Sequence, residues 1–159
     1  MKAASISAIK AELYAIPAKE VVNICLKLAK FKKENKEMLS YLLFQAQDDQ
    51  AFVQLVKDQI DEEFNSLNKS QIYLAKKTIR KALRTTNKNI KFASSKQLEV
   101  ELRLYFCTKL QATGLALTKH QVLYNLYQRQ ILLVDKALQG LHEDLQHDYK
   151  TELSALRLN

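Results

Sequence analysis

The chain has 159 residues and a net charge of +8, with 25 basic and 17 acidic side chains. A hydrophobic content of 47% argues against disorder, and a chain of this length can bury a core without disulfides or metal. No apolar run is long enough to span a bilayer, and no continuous apolar stretch marks a secretory signal. We therefore expect a single domain, residues 1–159, located in the cytoplasm.

The first part of the sequence predicts four helices in succession. A short helix from about Ser5 to Tyr14 ends before Pro17, because a proline disfavours helix at the residue that precedes it. Pro17 then suits the first turn of the second helix, where its missing N–H costs nothing. Asn35 can cap a third helix, and Asp48 can cap a fourth, since both side chains accept hydrogen bonds from free backbone amides.

The fifth predicted helix carries the most distinctive charge pattern in the chain. Asn68 or Ser70 can start it, and its apolar residues recur with a period near 3.6. Residues 65–97 contain nine basic side chains and no acidic one, whereas the rest of the chain has 16 basic and 17 acidic side chains. The positive charge is therefore concentrated locally, where a partner could recognise it.

Six of these cations fall on one face of the fifth helix, within an arc of about 100° opposite the apolar face. We call this face the basic stripe, and its residues are Lys77, Arg80, Lys81, Arg84, Lys88 and Lys91. At 1.5 Å per residue it would be about 21 Å long, with Tyr73 at its edge. The segment Thr85–Asn87 is a weak point, because Thr and Asn are poor residues for helix interiors, and a kink there would rotate the last two lysines away.

The last part of the sequence also predicts helices. Ser94 or Ser95 can cap a sixth helix that ends near Gly114, and Thr118 can cap a seventh. The apolar register then continues through Gly140, and we expect one long bent helix there in preference to a break. No segment alternates like a strand, so the predicted fold is all-α. About seven or eight helices would form antiparallel pairs, in a single bundle or a short α-solenoid, with the bundle slightly preferred.

The chain contains two cysteines, and both lie in apolar registers of predicted helices. Cys25 and Cys107 are therefore expected to be buried free thiols, which suits a reducing compartment. Neither has a neighbouring base in the sequence that would indicate a reactive thiolate.

No motif indicates a catalytic or metal site. His142 and His147 are five residues apart, about 140° around a helix, whereas the zinc-protease pattern places two histidines four apart on one face. Glu143 and His147 share a face, but two ligands make a poor metal site. The acidic residues of the fourth helix fit a solvated face better than acid–base chemistry, and they are Asp58, Asp61, Glu62 and Glu63. We predict no enzyme activity, no metal and no cofactor.

The basic stripe allows three interpretations. It can be a solvated surface, partly neutralised by the acidic fourth helix. It can contact nucleic acid, with cations following the phosphates and Tyr73 stacking on a base. It can bind an acidic protein partner. We predict a non-enzymatic helical interaction or scaffold module, with sequence-tolerant binding of the nucleic-acid backbone as the alternative. A membrane partner is not expected, and formation of homo-oligomers stays open.

Four segments resemble a family of small helical proteins from Bacteroidetes-type bacteria. These segments are AKEVVNICLKLAKFKKENKEMLSYLLF (residues 18–44), YLAKKTIRKALR (73–84), LYFCTKL (104–110) and LHEDLQHDY (141–149). The resemblance would cover nearly the whole chain and implies an all-helical fold and a bacterial, cytoplasmic origin. The family has no assigned activity and no catalytic motif, so the resemblance transfers no functional residue.

Overall fold

A computed structural model describes residues 1–158, and within this range it contains eight α-helices, one 3₁₀ turn and no β-strand. The all-α prediction and the predicted number of helices are confirmed. The helices are α1 (Ile6–Ala15), α2 (Ala18–Phe31), α3 (Lys33–Phe44), α4 (Asp49–Asn65), α5 (Ile72–Ala93), α6 (Lys96–Ala112), α7 (Gln121–Leu138) and α8 (Glu143–Leu156). The 3₁₀ turn, Leu117–Lys119, precedes α7.

Four helices, α1, α4, α6 and α8, begin at side chains that accept a hydrogen bond from a free backbone amide of the first turn. Ser5 Oγ accepts from the Ala8 amide at 3.2 Å, and Asp48 Oδ1 accepts from the Ala51 amide at 3.0 Å. Ser95, one of two predicted caps for α6, accepts from the Leu98 amide at 3.4 Å. Local capping chemistry therefore sets these boundaries, and the caps predicted at Asp48 and Ser95 are confirmed.

Three other predicted helix starts are wrong, because the polar side chain has a different partner or position. α3 already begins at Lys33, and Asn35 donates its side-chain amide to the Leu28 carbonyl at 2.9 Å. Asn68 accepts from the amide and hydroxyl of Ser70 in a turn before α5, which begins only at Ile72. Thr118 lies inside the 3₁₀ turn, and α7 begins after His120.

The expected continuity through Gly140 is also wrong. α7 ends at Leu138, and α8 begins at Glu143 after a cap in which His142 Nδ1 accepts from the Asp144 amide at 3.3 Å. The break allows α8 to pack against both α6 and α7. Burial of its residues Leu153 and Leu156 in the core then outweighs the continuous apolar register of one long helix.

The chain divides into two compact units, residues 1–44 and residues 45–159. In the first unit α2 packs on α3. The structure describes all of residues 1–44, and Tyr41 is the one buried residue among them. Large apolar side chains of this unit are exposed, with Phe31 and Phe44 among the most exposed.

The second unit contains the hydrophobic core and has the form of a helical bundle around α6. α6 packs against α4, α5, α7 and α8, and α4 also packs on α5. Val100, Phe106, Cys107 and Leu110 of α6 are completely buried at the centre of this core. Successive helices pack in pairs, α2 with α3, α4 with α5 and α6 with α7, which agrees with the prediction that the helices form pairs. None of the described helices is long and apolar enough to cross a lipid bilayer.

Candidate interaction surface

The basic stripe lies on a single uninterrupted helix, α5, which extends from Ile72 to Ala93. The Thr85–Asn87 segment does not break it, because local polar groups are satisfied within the helix. Thr86 Oγ1 donates to the Ala82 carbonyl at 2.9 Å, and the Asn89 amide donates to the Thr85 carbonyl at 2.9 Å. The stripe therefore keeps its predicted length of about 21 Å from Lys77 to Lys91.

Most of the stripe is open to solvent. Its exposed members are Lys77, Arg80, Lys81, Arg84 and Lys91, while Lys88 is half-buried. Tyr73, one turn before Lys77, is 76% exposed. The opposite face of α5 is buried in the bundle through small and branched residues, and these are Ala75, Ile79, Ala82, Thr86 and Ile90. The amphipathic pattern thus separates a core face from a cationic face.

The acidic α4 neutralises little of the stripe. Lys81 Nζ pairs with Glu63 Oε2 of α4 at 2.9 Å. Lys77, Arg80, Arg84 and Lys91 form no ion pair or hydrogen bond through their side chains with any residue in the range 1–158. A row of uncompensated cations on a rigid helix produces a positive potential that a polyanion can recognise.

The acidic residue Asp61 of α4 has partners elsewhere. It accepts hydrogen bonds from the Tyr105 hydroxyl at 2.8 and 2.9 Å and pairs with Lys109 at 2.8 Å. Lys57 and Lys109 lie over the Tyr105 ring at 5.3 and 5.7 Å. Burial and the adjacent Asp61 carboxylate raise the pKa of Tyr105, so the phenol stays protonated. This cluster fixes α4 against α6.

A groove of about 650 Å³ lies between α5 and α7, which both pack on α6. We call it the α5–α7 groove. Its aliphatic walls are Leu83, Val122, Leu126 and Leu133. Its polar lining consists of three arginines and three amides, which are Arg80, Arg103, Arg129, Asn87, Asn125 and Gln130. Arg80 belongs to both the groove and the basic stripe, so the two surfaces are continuous.

Arg103 of α6 lies within this groove with its side chain nine-tenths buried. Its Nε donates to Glu99 at 2.9 Å, and its Nη1 donates to Asn87 at 2.9 Å and to Gln130 at 2.7 Å. Its Nη2 donates to none of the described residues. No buried side-chain nitrogen or oxygen in residues 1–158 lacks a partner, so Nη2 keeps some contact with solvent. Arg103 thus contributes to the groove lining a guanidinium that three hydrogen bonds hold in place.

Sequence reasoning did not find Arg103 or Arg129. One signal was present for Arg103: it follows Glu99 by four residues, and it lies in the buried register of Val100 and Leu104. A charged side chain in such a register requires a partner, which indicates a buried polar network. Nothing in the sequence places Arg129 of α7 near Arg80 of α5.

The histidine segment lies at the start of the last helix, α8. His142 caps α8 through its Nδ1 atom. Within residues 1–158 no three His, Cys, Asp or Glu side chains are arranged to hold a metal ion.

Comparison of the chain with protein-family models, with curated proteins and with solved structures gives no match. The resemblance to the helical bacterial family therefore stays a prediction.

Proposed function

We propose that this protein is a non-enzymatic helical interaction module that binds an acidic partner through the basic stripe. The observation that carries the proposal is the row of exposed, unpaired cations on α5, namely Lys77, Arg80, Arg84 and Lys91. Because α5 is packed into the bundle along its opposite face, binding needs no reordering of the helix. Opposite charges across an interface increase the association rate and the specificity.

The alternative is binding to the phosphate backbone of nucleic acid. Tyr73 supports it, because an exposed aromatic ring one turn from Lys77 is placed to stack on an unpaired base. The stripe has no other exposed aromatic residue in the described part of α5, so such binding would be led by phosphates and tolerant of sequence.

The two proposals can be tested in one titration series. Fluorescence anisotropy would be measured with a labelled poly-glutamate peptide and with mixed-sequence DNA and RNA, at low and at moderate salt. The test variant is Lys77→Glu, Arg84→Glu, Lys91→Glu, which changes only unpaired cations of the stripe. The control is Lys19→Glu, Lys27→Glu, Lys30→Glu, which makes the same charge change at exposed, unpaired lysines of α2.

Each outcome is distinct. We expect the poly-glutamate peptide to bind and to weaken with salt, and the stripe variant to lose at least about tenfold in affinity while the control changes little. Preferential binding of DNA or RNA with the same dependence on the stripe favours the nucleic-acid alternative. Absence of binding to every probe at low salt, or equal losses in both variants, contradicts both.

A further inference from the structure

We infer that the α5–α7 groove binds an amphipathic helix of a protein partner, with the carboxylates of that helix on Arg80, Arg103 and Arg129 and its apolar side chains on the groove walls. This inference rests on the proposed interaction function and specifies the partner. It adds a second surface beside the stripe, on a different flank of α5: Lys81 points toward α4, whereas Arg80 borders α7.

The charge of the groove selects an acidic ligand. No carboxylate is among its lining residues. Arg103 is paired with Glu99, so the net positive charge comes from Arg80 and Arg129, neither of which has a hydrogen bond or an ion pair to any residue of the described chain. A guanidinium can hold a carboxylate through two parallel hydrogen bonds.

The buried Arg103 gives the groove a hydrogen-bond donor that is already held in position. Three hydrogen bonds, to Glu99, Asn87 and Gln130, fix its guanidinium, so its free Nη2 has a defined position. A carboxylate that meets this amino group gains a charge-assisted hydrogen bond without ordering a flexible side chain. Exposed lysines of the stripe lack this advantage.

The aliphatic walls distinguish a protein helix from nucleic acid. A phosphate backbone needs cations only, whereas Leu83, Val122, Leu126 and Leu133 offer apolar contact beside the arginines. Val122 is 43% exposed, which leaves it available to a ligand. A helix with leucines and glutamates on one face fits both parts of the lining.

The shape of the groove also fits a helix. It is open to solvent, and along α7 it extends from Val122 to Leu133, which is about 16 Å at 1.5 Å per residue. That length corresponds to about three turns of a bound helix. A small-molecule site would enclose most of its ligand, which an open groove does not.

The test uses the full-length protein and two synthetic helical peptides of equal charge. The first peptide has Glu and Leu on one face, and in the second every Leu is replaced by Ser. Binding would be measured by fluorescence anisotropy and located by backbone-amide chemical-shift changes. We expect the Leu peptide to bind at least about tenfold more tightly and to shift amides of α5 and α7 along the groove.

Two matched pairs of variants on α7 locate the site. Val122→Ser removes a groove wall, and its control is Leu132→Ser, since Leu132 is 65% exposed on the same helix but outside the groove. Arg129→Gln removes a groove cation, and its control is Lys136→Gln, an exposed lysine with no ion pair to described residues. We expect each groove variant to weaken the Leu peptide several-fold and each control to leave it unchanged.

Failure of this inference is distinguishable from failure of the proposed function. If both peptides bind equally, the groove is not a receptor and the stripe remains an acidic-partner site. The same conclusion follows if affinity is lost in the stripe variant but not in the groove variants. The groove inference is also overturned if DNA or RNA binds more tightly than the Leu peptide and that binding is weakened by Arg129→Gln but not by Val122→Ser. Absence of binding by poly-glutamate and both peptides overturns both proposals.

Discussion

The Tyr127 hydroxyl of α7 donates a hydrogen bond to the backbone carbonyl of Leu156, the last residue of α8. Tyr127 is completely buried, and Leu156 is buried beside it in the core. The carbonyls of a final helical turn have no partner within their own helix. This bond therefore satisfies a buried acceptor and fixes the end of α8 against α7.

Removing that hydroxyl should destabilise the bundle. In Tyr127→Phe the ring still fills its place, but the Leu156 carbonyl loses its donor, and we expect a loss of about 1–2 kcal/mol in the free energy of unfolding. Urea unfolding followed by circular dichroism would measure it. Tyr73→Phe is the matched control, because that hydroxyl is exposed and has no partner among the described residues. Equal midpoints for the two variants would contradict the structural role of the bond.

The buried thiol of Cys107 should make the fold sensitive to alkaline pH. Burial raises the pKa of Cys107 from 9.0 to about 12. Between these values the unfolded chain releases the thiol proton while the folded chain retains it. Since the unfolded state then binds fewer protons, stability falls as pH rises, by about 1.4 kcal/mol per pH unit in this window. The contribution of the protonated Cys107 thiol to folding stability is fully present below about pH 9.

Unfolding free energies in reducing buffer at about pH 8 and about pH 10 would check this slope. Cys107→Ala should flatten the dependence on pH, whatever its cost in packing, because the titrating group is gone. As a control, Cys25→Ala removes the other thiol, which is half-buried. The same slope in all three proteins would rule out Cys107 as its source. The expectation that both thiols are buried holds for Cys107 alone.

The sequence predicted α5 well because periodicity along one helix is a local property. The apolar residues of α5 and its basic stripe each follow the helical period, and the structure keeps them on opposite faces from Ile72 to Ala93. The caps at Asp48 and Ser95 were also predicted correctly, since each bond joins residues three apart. Such features need no knowledge of tertiary packing.

The groove and the break at Gly140 were not predicted, because both depend on residues far apart in sequence. Arg80 and Arg129 line one groove only after α5 and α7 have packed on α6. Likewise, the apolar register through Gly140 is the same for one long helix and for two. Burial of Leu153 against the bundle favours two helices over one long helix. This burial depends on tertiary packing, which the local pattern does not contain.

The two glycines of the chain should respond differently to alanine. Gly114 follows α6 with φ of +72°, in the left-handed region where a Cβ atom is strained, and open space around it offers no compensating contact. We expect Gly114→Ala to cost about 1–2 kcal/mol of stability. At Gly140 a Cβ would lie 2.7 Å from Cδ of Lys96, whose exposed side chain can move. Gly140→Ala should therefore cost less, and a reversed order in urea unfolding would contradict the argument.

The first unit should show no cooperative unfolding transition of its own. A cooperative transition requires a core, and Tyr41 is the one buried residue in the 44 positions of this unit. By contrast, the second unit has a continuous core around Val100, Phe106 and Tyr127. Calorimetry of the full chain should therefore give one peak, with a calorimetric enthalpy equal to the van't Hoff enthalpy, as the sequence-based expectation of a single domain also requires. The opposite result would be a separate transition at lower temperature, in which part of the helical signal is lost while the environment of Tyr127 stays intact. Such a transition would refute both the absence of a cooperative first unit and the single-domain prediction.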